Sequence, residues 1–404
     1  MQIVRFNPAS LTGGSQEKFC KIQINRRGGF CSSLKVVKHI FKSSVTVTFF
    51  GGISVIERRK TKKVKVGNIF IGGDSPVSVQ SMLNAEAHDI DKNVCQAKAL
   101  EKAGCEIIRA AVPDLEAVKT IAALKENVSV PIVSDIHFNY KIALECVAAG
   151  VDKVRINPGN IGDDANVKAV ADACRKNGVP IRIGVNSGSV EKHILAKYGA
   201  PTAQAMAESA MYHVRLLEKF DFDDIVISIK SSNVQTMIEA YKKVASMCDY
   251  PLHLGVTEAG TRRMGMLKSA VGIGTLLMNG IGDTIRVSLT ADPVEEVYAG
   301  LDILKAAGLR NDTPTLISCP TCGRTKIDLI SLATEVEEKL RNVKKPIKVA
   351  VMGCVVNGPG EAREADVGIA GGDGCGLVFS HGEILRKVPE NELVSELMKE
   401  IEKL

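Results

Sequence analysis

The 404-residue sequence contains no tryptophan, and aromatic residues make up only 4% of it. Proteins that bind single-stranded nucleic acid stack the bases on aromatic side chains, so this composition argues against such a surface. Long apolar runs are also missing, since none approaches the roughly 18 to 20 residues that cross a bilayer. We therefore predict neither a nucleic-acid partner nor a membrane partner.

Acidic residues are nearly absent from the N-terminal segment. Residues 1–55 hold eight Lys/Arg and one acid, Glu17, whereas the rest of the chain holds 44 basic and 45 acidic residues. The formal net charge of +6 therefore comes from this segment, and it does not argue for nucleic-acid binding by the body of the protein. We predict a basic leader outside the functional domains and a cytoplasmic protein. A plastid protein is the alternative, if the leader is a transit peptide.

A secretory signal, with an apolar core and a small-residue cleavage site, is also missing. The sequence nevertheless has eleven cysteines. Five of them occur singly in helix-like patterns, as small buried residues do: Cys95, Cys105, Cys146, Cys174 and Cys248. We infer a reducing compartment, in which clustered cysteines indicate a metal site or catalysis.

From about Glu57 onward, short β-branched runs alternate with amphipathic, helix-like segments. The eight runs are residues 77–82, 106–112, 131–138, 152–159, 180–186, 224–230, 251–258 and 283–289. This alternation is typical of βαβ units and a parallel sheet. Eight units over residues 56–310 predict a TIM barrel as the substrate-binding domain, with an open doubly wound sheet as the alternative.

Polar and charged residues occur where the predicted strands end. They are Arg109, Asp135, His137, Arg155, Asn157, Arg182, Asn186, Lys230, His253, Glu258, Arg286 and Ser288. In a TIM barrel these ends meet at the C-terminal face, where active sites lie. Any single arginine could belong to an ion pair, but four arginines and a lysine at equivalent positions predict a cationic pocket. Such a pocket suits a diphosphate, which guanidinium groups bind in bidentate fashion.

From the polar linker 311–314 onward, the pattern indicates a small α/β module, and we assign it residues 311–404. Its predicted turns carry three cysteines beside Pro and Gly: Cys319 and Cys322 in CPTC, and Cys354 in GCVVNGPGE. A zinc ribbon would need a second C-x-x-C or a His pair, and a thioredoxin-like pair would leave Cys354 unexplained.

Three thiolates with one weaker ligand are consistent with an iron–sulfur cluster that has one exchangeable iron. Glu361 is the best-placed oxygen donor, seven residues after Cys354. Cys375 and Glu364 compete with it, and spacing alone does not separate Glu361 from Cys375.

Seven motifs, in order along the chain, resemble the 4-hydroxy-3-methylbut-2-enyl diphosphate synthase family, the iron–sulfur enzymes of non-mevalonate isoprenoid biosynthesis. The motifs are DIHF, RINPGNIG, IRIGVNSGS, HLGVTEAG, GIGDTIRVSL, SCPTCGRT and GCVVNGPGEA. The resemblance extends from about Arg58 to the C-terminus and leaves the leader uncovered. Some members insert a large domain before the cluster module, and this sequence resembles the two-domain bacterial type that lacks it.

The resemblance implies an oxidoreductase that opens 2-C-methyl-D-erythritol 2,4-cyclodiphosphate reductively, with loss of water, to give 4-hydroxy-3-methylbut-2-enyl diphosphate. Two electrons from ferredoxin or flavodoxin would pass through a [4Fe-4S] cluster. It implies Cys319, Cys322, Cys354 and Glu361 as cluster ligands and Glu258 as the acid–base group. It also implies a homodimer in which the cluster module of one chain caps the barrel of the other. The implied substrate-binding residues are Arg109, His137, Arg155, Asn157, Arg182, Asn186, Lys230, Arg286 and Ser288.

Two other functions remain as alternatives at this point. One is a non-redox, phosphate-binding barrel enzyme with a structural zinc module. The other, a nucleic-acid-binding protein, is disfavoured because the basic excess is confined to the leader.

Overall fold

The computed structural model of the chain describes residues 56–341, 343–354 and 362–404. The predicted leader, residues 1–55, and the candidate ligand Glu361 lie outside the described residues. Among the described helices, none combines the length and the apolar character that a membrane crossing requires.

The described chain begins with a hairpin that the sequence analysis missed. It is followed by eight parallel strands. The hairpin strands are β1 (Val64–Val66) and β2 (Ile69–Ile71). The parallel strands are β3 (Ser78–Met82), β4 (Ile107–Ala111), β5 (Ile132–Asp135), β6 (Lys153–Ile156), β7 (Ile181–Asn186), β8 (Ile225–Lys230), β9 (His253–Leu254) and β10 (Thr284–Ile285).

Helices follow every strand of this sheet. They are α1 (Ile90–Lys102), α2 (Val118–Asn127), α3 (Tyr140–Ala148), α4 (Asp164–Asn177), α5 (Lys192–Tyr198), α6 (Ala203–Glu218), α7 (Val234–Met247), α8 (Arg262–Met278) and α9 (Pro293–Ala306). Several begin at a side-chain cap, which satisfies a backbone N–H that the first helical turn leaves free. Asp163 accepts from the N–H of Asn166, for example, and Asn233 accepts from that of Thr236.

The eight strands close into a barrel. The ladder runs β8-β7-β6-β5-β4-β3-β10-β9, and a parallel bridge between Ile227 and Leu252 joins its two ends. The N–H of Ile227 donates to the carbonyl of Pro251 at 2.9 Å. The predicted TIM barrel is therefore confirmed, and the open doubly wound alternative is wrong.

Apolar side chains fill the N-terminal end of the barrel. Val64, Val66 and Ile71 of the β1–β2 hairpin form one buried cluster with Ile107, Val133 and Val226. Ile107 is the first residue of β4, so this cluster lies where the strands begin. The hairpin therefore closes this end and leaves the C-terminal end as the side for a ligand.

A separate five-stranded sheet forms the C-terminal module. Its strands are β11 (Thr315–Ser318), β12 (Lys348–Met352), β13 (Val367–Gly371), β14 (Cys375–Ser380) and β15 (Glu383–Pro389), with helices α10 (Leu329–Leu340) and α11 (Leu393–Lys403). The first three strands are parallel and the last two antiparallel. Val336, Val349, Ile369 and Leu397 belong to its buried core, as predicted for a small α/β module.

The β14–β15 hairpin was not predicted from the sequence. Its two-residue turn is His381 and Gly382, both with positive φ (48° and 82°). Positive φ at both central positions suits the right-handed twist of a hairpin, and glycine adopts it at little cost.

Candidate active site

Arginines on neighbouring strands point into the barrel. Arg155 on β6 is in register with Arg182 on β7, and Asp135 on β5 is in register with Arg155. Their strand neighbours Val154 and Ile156 belong to the apolar core instead, because successive strand residues face opposite sides. This alternation places the charged side chains inside the barrel.

A buried carboxylate holds two of these arginines. Asp135 Oδ1 lies 3.0 Å from Arg155 Nη1, Oδ2 contacts Arg109 Nη2, and His137 Nε2 lies 3.8 Å from Oδ2. Burial alone would raise the pKa of Asp135, but the positive charges of Arg109 and Arg155 lower it well below its usual range. One carboxylate faces two guanidinium groups, so the cluster keeps a net positive charge.

The side chain of Arg182 crosses the barrel interior. Its Nη1 donates to Gln80 Oε1 at 2.9 Å, and Gln80 is on β3, four strands away in the eight-stranded ring. Arg182 is fully buried, and burial lowers its pKa, as do the nearby charges of Arg109 and Arg155. The Arg182 guanidinium thus lies inside the barrel near Arg109 and Arg155, and this cationic cluster is called the pocket below.

Several nitrogen donors in this pocket have no hydrogen-bond partner among the described residues. They are Nε and Nη1 of Arg109, Nε of Arg155, Nε and Nη2 of Arg182, and Nε of Arg286. A buried donor without an acceptor costs about 1–3 kcal/mol, and more when it is charged. An anionic ligand would supply the acceptors that these donors lack.

Lys230 and Arg286 bring an amine and a further guanidinium group to the same pocket. Burial lowers the pKa of Lys230 well below its usual value, and the nearby arginines lower it further. Burial also lowers the pKa of Arg286, while the carboxylate of Glu296 raises it.

Two predicted amide residues lie at neighbouring strand ends: Asn157 directly follows β6, and Asn186 is the last residue of β7. Asn157 Nδ2 donates to Ser189 Oγ at 3.3 Å, and Asn157 Oδ1 accepts from the N–H of Gly159 at 3.1 Å. The N–H of Asn186 donates to the same Ser189 hydroxyl at 3.2 Å. Ser189 therefore fixes both loops relative to each other.

Three further predicted residues lie on the loops at this end. Ser288 is partly buried after β10, and His137 is about half exposed after β5. Glu258 is exposed after β9 and has a φ of +51°. Non-glycine residues rarely adopt this left-handed region, and such strain clusters at functional sites. The structure thus brings Glu258 and the predicted substrate-binding residues to one end, and their individual roles remain predictions. His253 was also predicted at a strand end, but it is buried at the start of β9, in register with Thr284 at the start of β10.

Sequence reasoning missed residues that support this pocket. It assigned no role to Asp135 and did not mention Glu296 or Gln80. It also overlooked Lys153, which is fully buried on β6 with no partner for its Nζ among the described residues. The period of two in KVRIN could have revealed Lys153, because it places residues 153, 155 and 157 on one side.

In the C-terminal module, the predicted cysteines lie at the C-terminal edge of β11 and β12. The N–H of Cys319 donates to the Val351 carbonyl at 3.4 Å, and Cys319 Sγ accepts from the N–H of Gly353 at 3.2 Å. Cys354 directly follows Gly353. The two segments that contain Cys319 and Cys354 are therefore in direct contact.

Cys322 is exposed in the turn after Cys319. Its N–H donates to Thr325 Oγ1 at 3.2 Å. A hydrogen bond from the backbone N–H of Arg324 lowers the pKa of the Cys322 thiol, and the Arg324 side chain lowers it further. This favours the thiolate, the form that binds metals.

The residues at this edge have the chemistry that an iron–sulfur cluster requires, namely thiolates on adjacent loops. Within residues 56–341, 343–354 and 362–404, no three Cys, His or carboxylate groups are close enough together to hold a metal ion. Cys375 begins β14 at the same edge, since its neighbour Gly376 is paired with Gly371 at the end of β13. Glu364 instead pairs with Lys348 at 3.6 Å, at the opposite end of β12, so it is not placed to be a ligand.

Comparison with known proteins decides the family. The model of the GcpE TIM-barrel domain matches residues 61–301, and that of the GcpE protein C-terminal domain matches residues 315–403. The chain belongs to the GcpE family.

Similarity to individual proteins supports the same family assignment. A "4-hydroxy-3-methylbut-2-en-1-yl diphosphate synthase (flavodoxin)" of Geobacillus thermodenitrificans is 58% identical over 350 residues, which are 87% of this chain and 94% of that protein. Proteins of the same name from Caldanaerobacter subterraneus subsp. tengcongensis and Clostridium perfringens are each 59% identical over 347 residues. Those residues are 86% of this chain and 98% and 99% of the two proteins.

The solved structure of Yersinia pestis dihydropteroate synthase is also similar. It covers 61% of this chain and 98% of its own, with 15% identity and a TM-score of 0.45. A likeness at this distance carries no argument about function.

Family membership confirms the resemblance found in the sequence. It also confirms the fold class, a TIM barrel followed by a small α/β module. The same membership confirms the predicted activity. The protein is an oxidoreductase that converts the cyclic diphosphate into 4-hydroxy-3-methylbut-2-enyl diphosphate in isoprenoid biosynthesis. The family is one of iron–sulfur enzymes. The same membership contradicts the alternative of a non-redox barrel enzyme.

Proposed function

We propose that the cationic end of the barrel binds 2-C-methyl-D-erythritol 2,4-cyclodiphosphate through its diphosphate. The observation that carries this proposal is the set of buried guanidinium donors without acceptors among the described residues. The groups that would bind the substrate are Arg109, His137, Arg155, Asn157, Arg182, Asn186, Lys230, Arg286 and Ser288. Charge-assisted, bidentate contacts would hold the phosphates, and the amides and the serine would orient them.

Glu258 is proposed as the acid–base group. It is on the loop after β9, at the end of the barrel where the pocket opens. The reaction takes up two electrons, breaks a ring C–O bond and releases a hydroxyl as water, which requires a proton. The Glu258 carboxyl would deliver that proton to the departing oxygen, as positioned general acids do.

The cofactor is proposed to be a [4Fe-4S] cluster held by Cys319, Cys322, Cys354 and Glu361. When bound, the cluster would supply the two electrons. Support comes from the direct contact between the two cysteine segments and from the suitability of Cys thiolates as iron ligands. A carboxylate as fourth ligand would leave one iron exchangeable.

The fourth ligand can be tested on the Glu361→Gln variant beside wild type, both purified anaerobically. We expect the variant to keep iron and sulfide, to show an altered electron paramagnetic resonance signal after reduction, and to turn over little substrate. A signal and turnover equal to wild type would assign the fourth position elsewhere, with Cys375 next.

We propose residues 56–310 as the substrate-binding domain and residues 311–404 as the cluster domain, with the basic segment 1–55 outside both. The two apolar cores support this division, because the larger one ends at Ala307 and Leu309 and the smaller one begins at Leu316.

A homodimer that completes each site in trans is also proposed. Helix α9 starts at the pocket end and runs to the opposite end, where Arg310 Nη2 pairs with Glu106 Oε1 at 2.8 Å. Glu106 immediately precedes β4, so the linker to the cluster module leaves from the end opposite the pocket. A module from a second chain would then cover the pocket.

An exposed apolar face on α8 is consistent with such self-association. Met264, Leu267, Val271 and Met278 are each at least half exposed on this helix, and their spacing of three, four and seven residues places them on one face. A Cβ at Gly274 would meet nothing within 4 Å. Most monomers do not expose such contiguous apolar patches.

Co-expression of two inactive variants tests assembly in trans. Glu258→Gln disables the barrel and Cys354→Ser disables the cluster module, so a mixed dimer contains one intact pair only if the site forms between chains. We expect the mixed dimers to be active while each variant alone is not. Inactive mixed dimers would show instead that each chain caps its own barrel.

We propose flavodoxin as the electron donor, with ferredoxin as the alternative, because the curated relatives carry flavodoxin in their names. A cytoplasmic location is proposed, since those relatives are bacterial proteins. N-terminal sequencing of the mature protein tests the plastid alternative, which requires removal of the leader.

Metal analysis tests the function as a whole. We expect four iron and four sulfide per chain and absorption near 400 nm. We also expect the reduced protein to convert the cyclic diphosphate. Stoichiometric zinc without colour would contradict the assignment of the cluster.

A further inference from the structure

Glu296 is a buried carboxylate in the first turn of α9, with 4% of its surface exposed. Its Oε1 accepts from the N–H of Leu289 at 2.9 Å. Its Oε2 lies 3.2 Å from Ser81 Oγ and 3.5 Å from Arg286 Nη2. One side chain therefore connects β3, the loop after β10 and α9.

These contacts position Arg286 and Ser288, the two residues after β10 that are proposed to bind the diphosphate. Glu296 pairs with the guanidinium of Arg286 and holds the backbone directly after Ser288. Among the described residues, Glu296 is the only carboxylate that pairs with Arg286, and the other acceptor, Met82 Sδ at 3.4 Å, is weak. Because guanidinium is planar, an ion pair at Nη2 restricts the orientations that the rest of the group, including Nε, can adopt.

A purely helical role does not explain the burial of this side chain. Acidic residues in the first turn stabilise a helix through its dipole, and Glu295 is in the same turn. Glu295 forms a more exposed pair with Arg262 at 2.8 Å. Burial of a carboxylate is costly unless it is paired and hydrogen-bonded, so Glu296 is placed for its contacts with Arg286 and Leu289.

We propose that Glu296 is a positioning residue of the diphosphate site, which orients Arg286 and the Ser288 loop without touching the substrate. This inference rests on the proposed role of Arg286 and Ser288 in binding the diphosphate.

The test is a double-mutant cycle on the full-length holoenzyme: wild type, Glu296→Ala, Arg286→Ala and the double variant. KM and kcat for the cyclic diphosphate, iron content and Tm are measured for each. Because coupled residues are non-additive, we expect Glu296→Ala to raise KM about tenfold in the wild-type background and less than about twofold in the Arg286→Ala background. Glu295→Ala is the matched control, with KM expected within about twofold of wild type.

Each outcome bears on a different part of the proposal. Equal effects of Glu296→Ala in the two backgrounds would overturn positioning through Arg286 but leave its phosphate role intact. An unchanged KM in Arg286→Ala itself would overturn that phosphate role. If Glu296→Ala does not fold, Glu296→Gln replaces it in the cycle, since it keeps an acceptor for the Leu289 N–H but loses the charge. An unchanged KM in this variant would also overturn the proposal.

Discussion

Replacing Asp135 by Asn should strongly destabilise the barrel. The carboxylate is 2% exposed, and the side chains of its partners Arg109 and Arg155 are 4% and 3% exposed. Removing it leaves two buried guanidinium groups without a counter-charge. Loss of one partner from a buried ion pair costs about 3–5 kcal/mol, a large fraction of the roughly 5–15 kcal/mol by which a domain is stable.

Denaturant unfolding of the protein, followed by far-ultraviolet circular dichroism, measures this cost. Asp74→Asn is the control, because Asp74 forms a similar ion pair with Lys63 at 2.8 Å on the surface. We expect no measurable change in the control, since solvent screens exposed pairs. Asp135→Asn should shift the unfolding midpoint to lower denaturant without a change in slope.

A free energy of unfolding within about 1 kcal/mol of wild type would refute this reasoning, because exposed ion pairs are worth no more than that. Such a result would mean that water reaches the two arginines in the free enzyme.

The same carboxylate makes the stability of the folded protein depend on pH, because the pKa of Asp135 is lowered in the folded chain. Its contribution to stability is complete above the ordinary pKa of about 3.9. That contribution is lost as the pH falls from there through the lowered pKa. Acid titration of the unfolding midpoint should show this loss in wild type and a smaller loss in Asp135→Asn, since other carboxyl groups still titrate; an equally large loss in the two proteins would contradict the assignment. Gly184→Ala should raise KM about tenfold or more, because the new Cβ would lie 2.2 Å from Arg155 Nε; a KM equal to wild type would show that Arg155 can move at no cost. Cys354→Ser should lose iron, sulfide and activity together, and a normal cluster in that variant would remove Cys354 from the ligands.

The barrel could be predicted from the sequence because its strands have apolar residues facing the helices at every second position. Ile181, Ile183 and Val185 of β7 are an example, and all are fully buried. The short elements could not be predicted in this way. The hairpin strands β1 and β2 have three residues each, too few for a period of two to be recognised.

The site could be predicted at positions where a charged residue occurs in an otherwise apolar strand. Arg109, Arg155 and Arg182 stand out because ionised side chains in apolar strands are costly unless they are paired or bind a ligand. Glu296 does not stand out, since an acid in the first turn of a helix is ordinary. Only the fold shows that its carboxylate faces Arg286, which precedes it by ten residues.

The β1–β2 hairpin has a consequence for turnover. Apolar side chains close the N-terminal end of the barrel. The proposed substrate site can therefore be reached only from the C-terminal end. Substrate enters and product leaves by the same route, and whatever delivers electrons must approach from that side too. In the proposed homodimer, the covering module would therefore have to withdraw before the next substrate arrives, and the rate of that opening would contribute to the turnover rate.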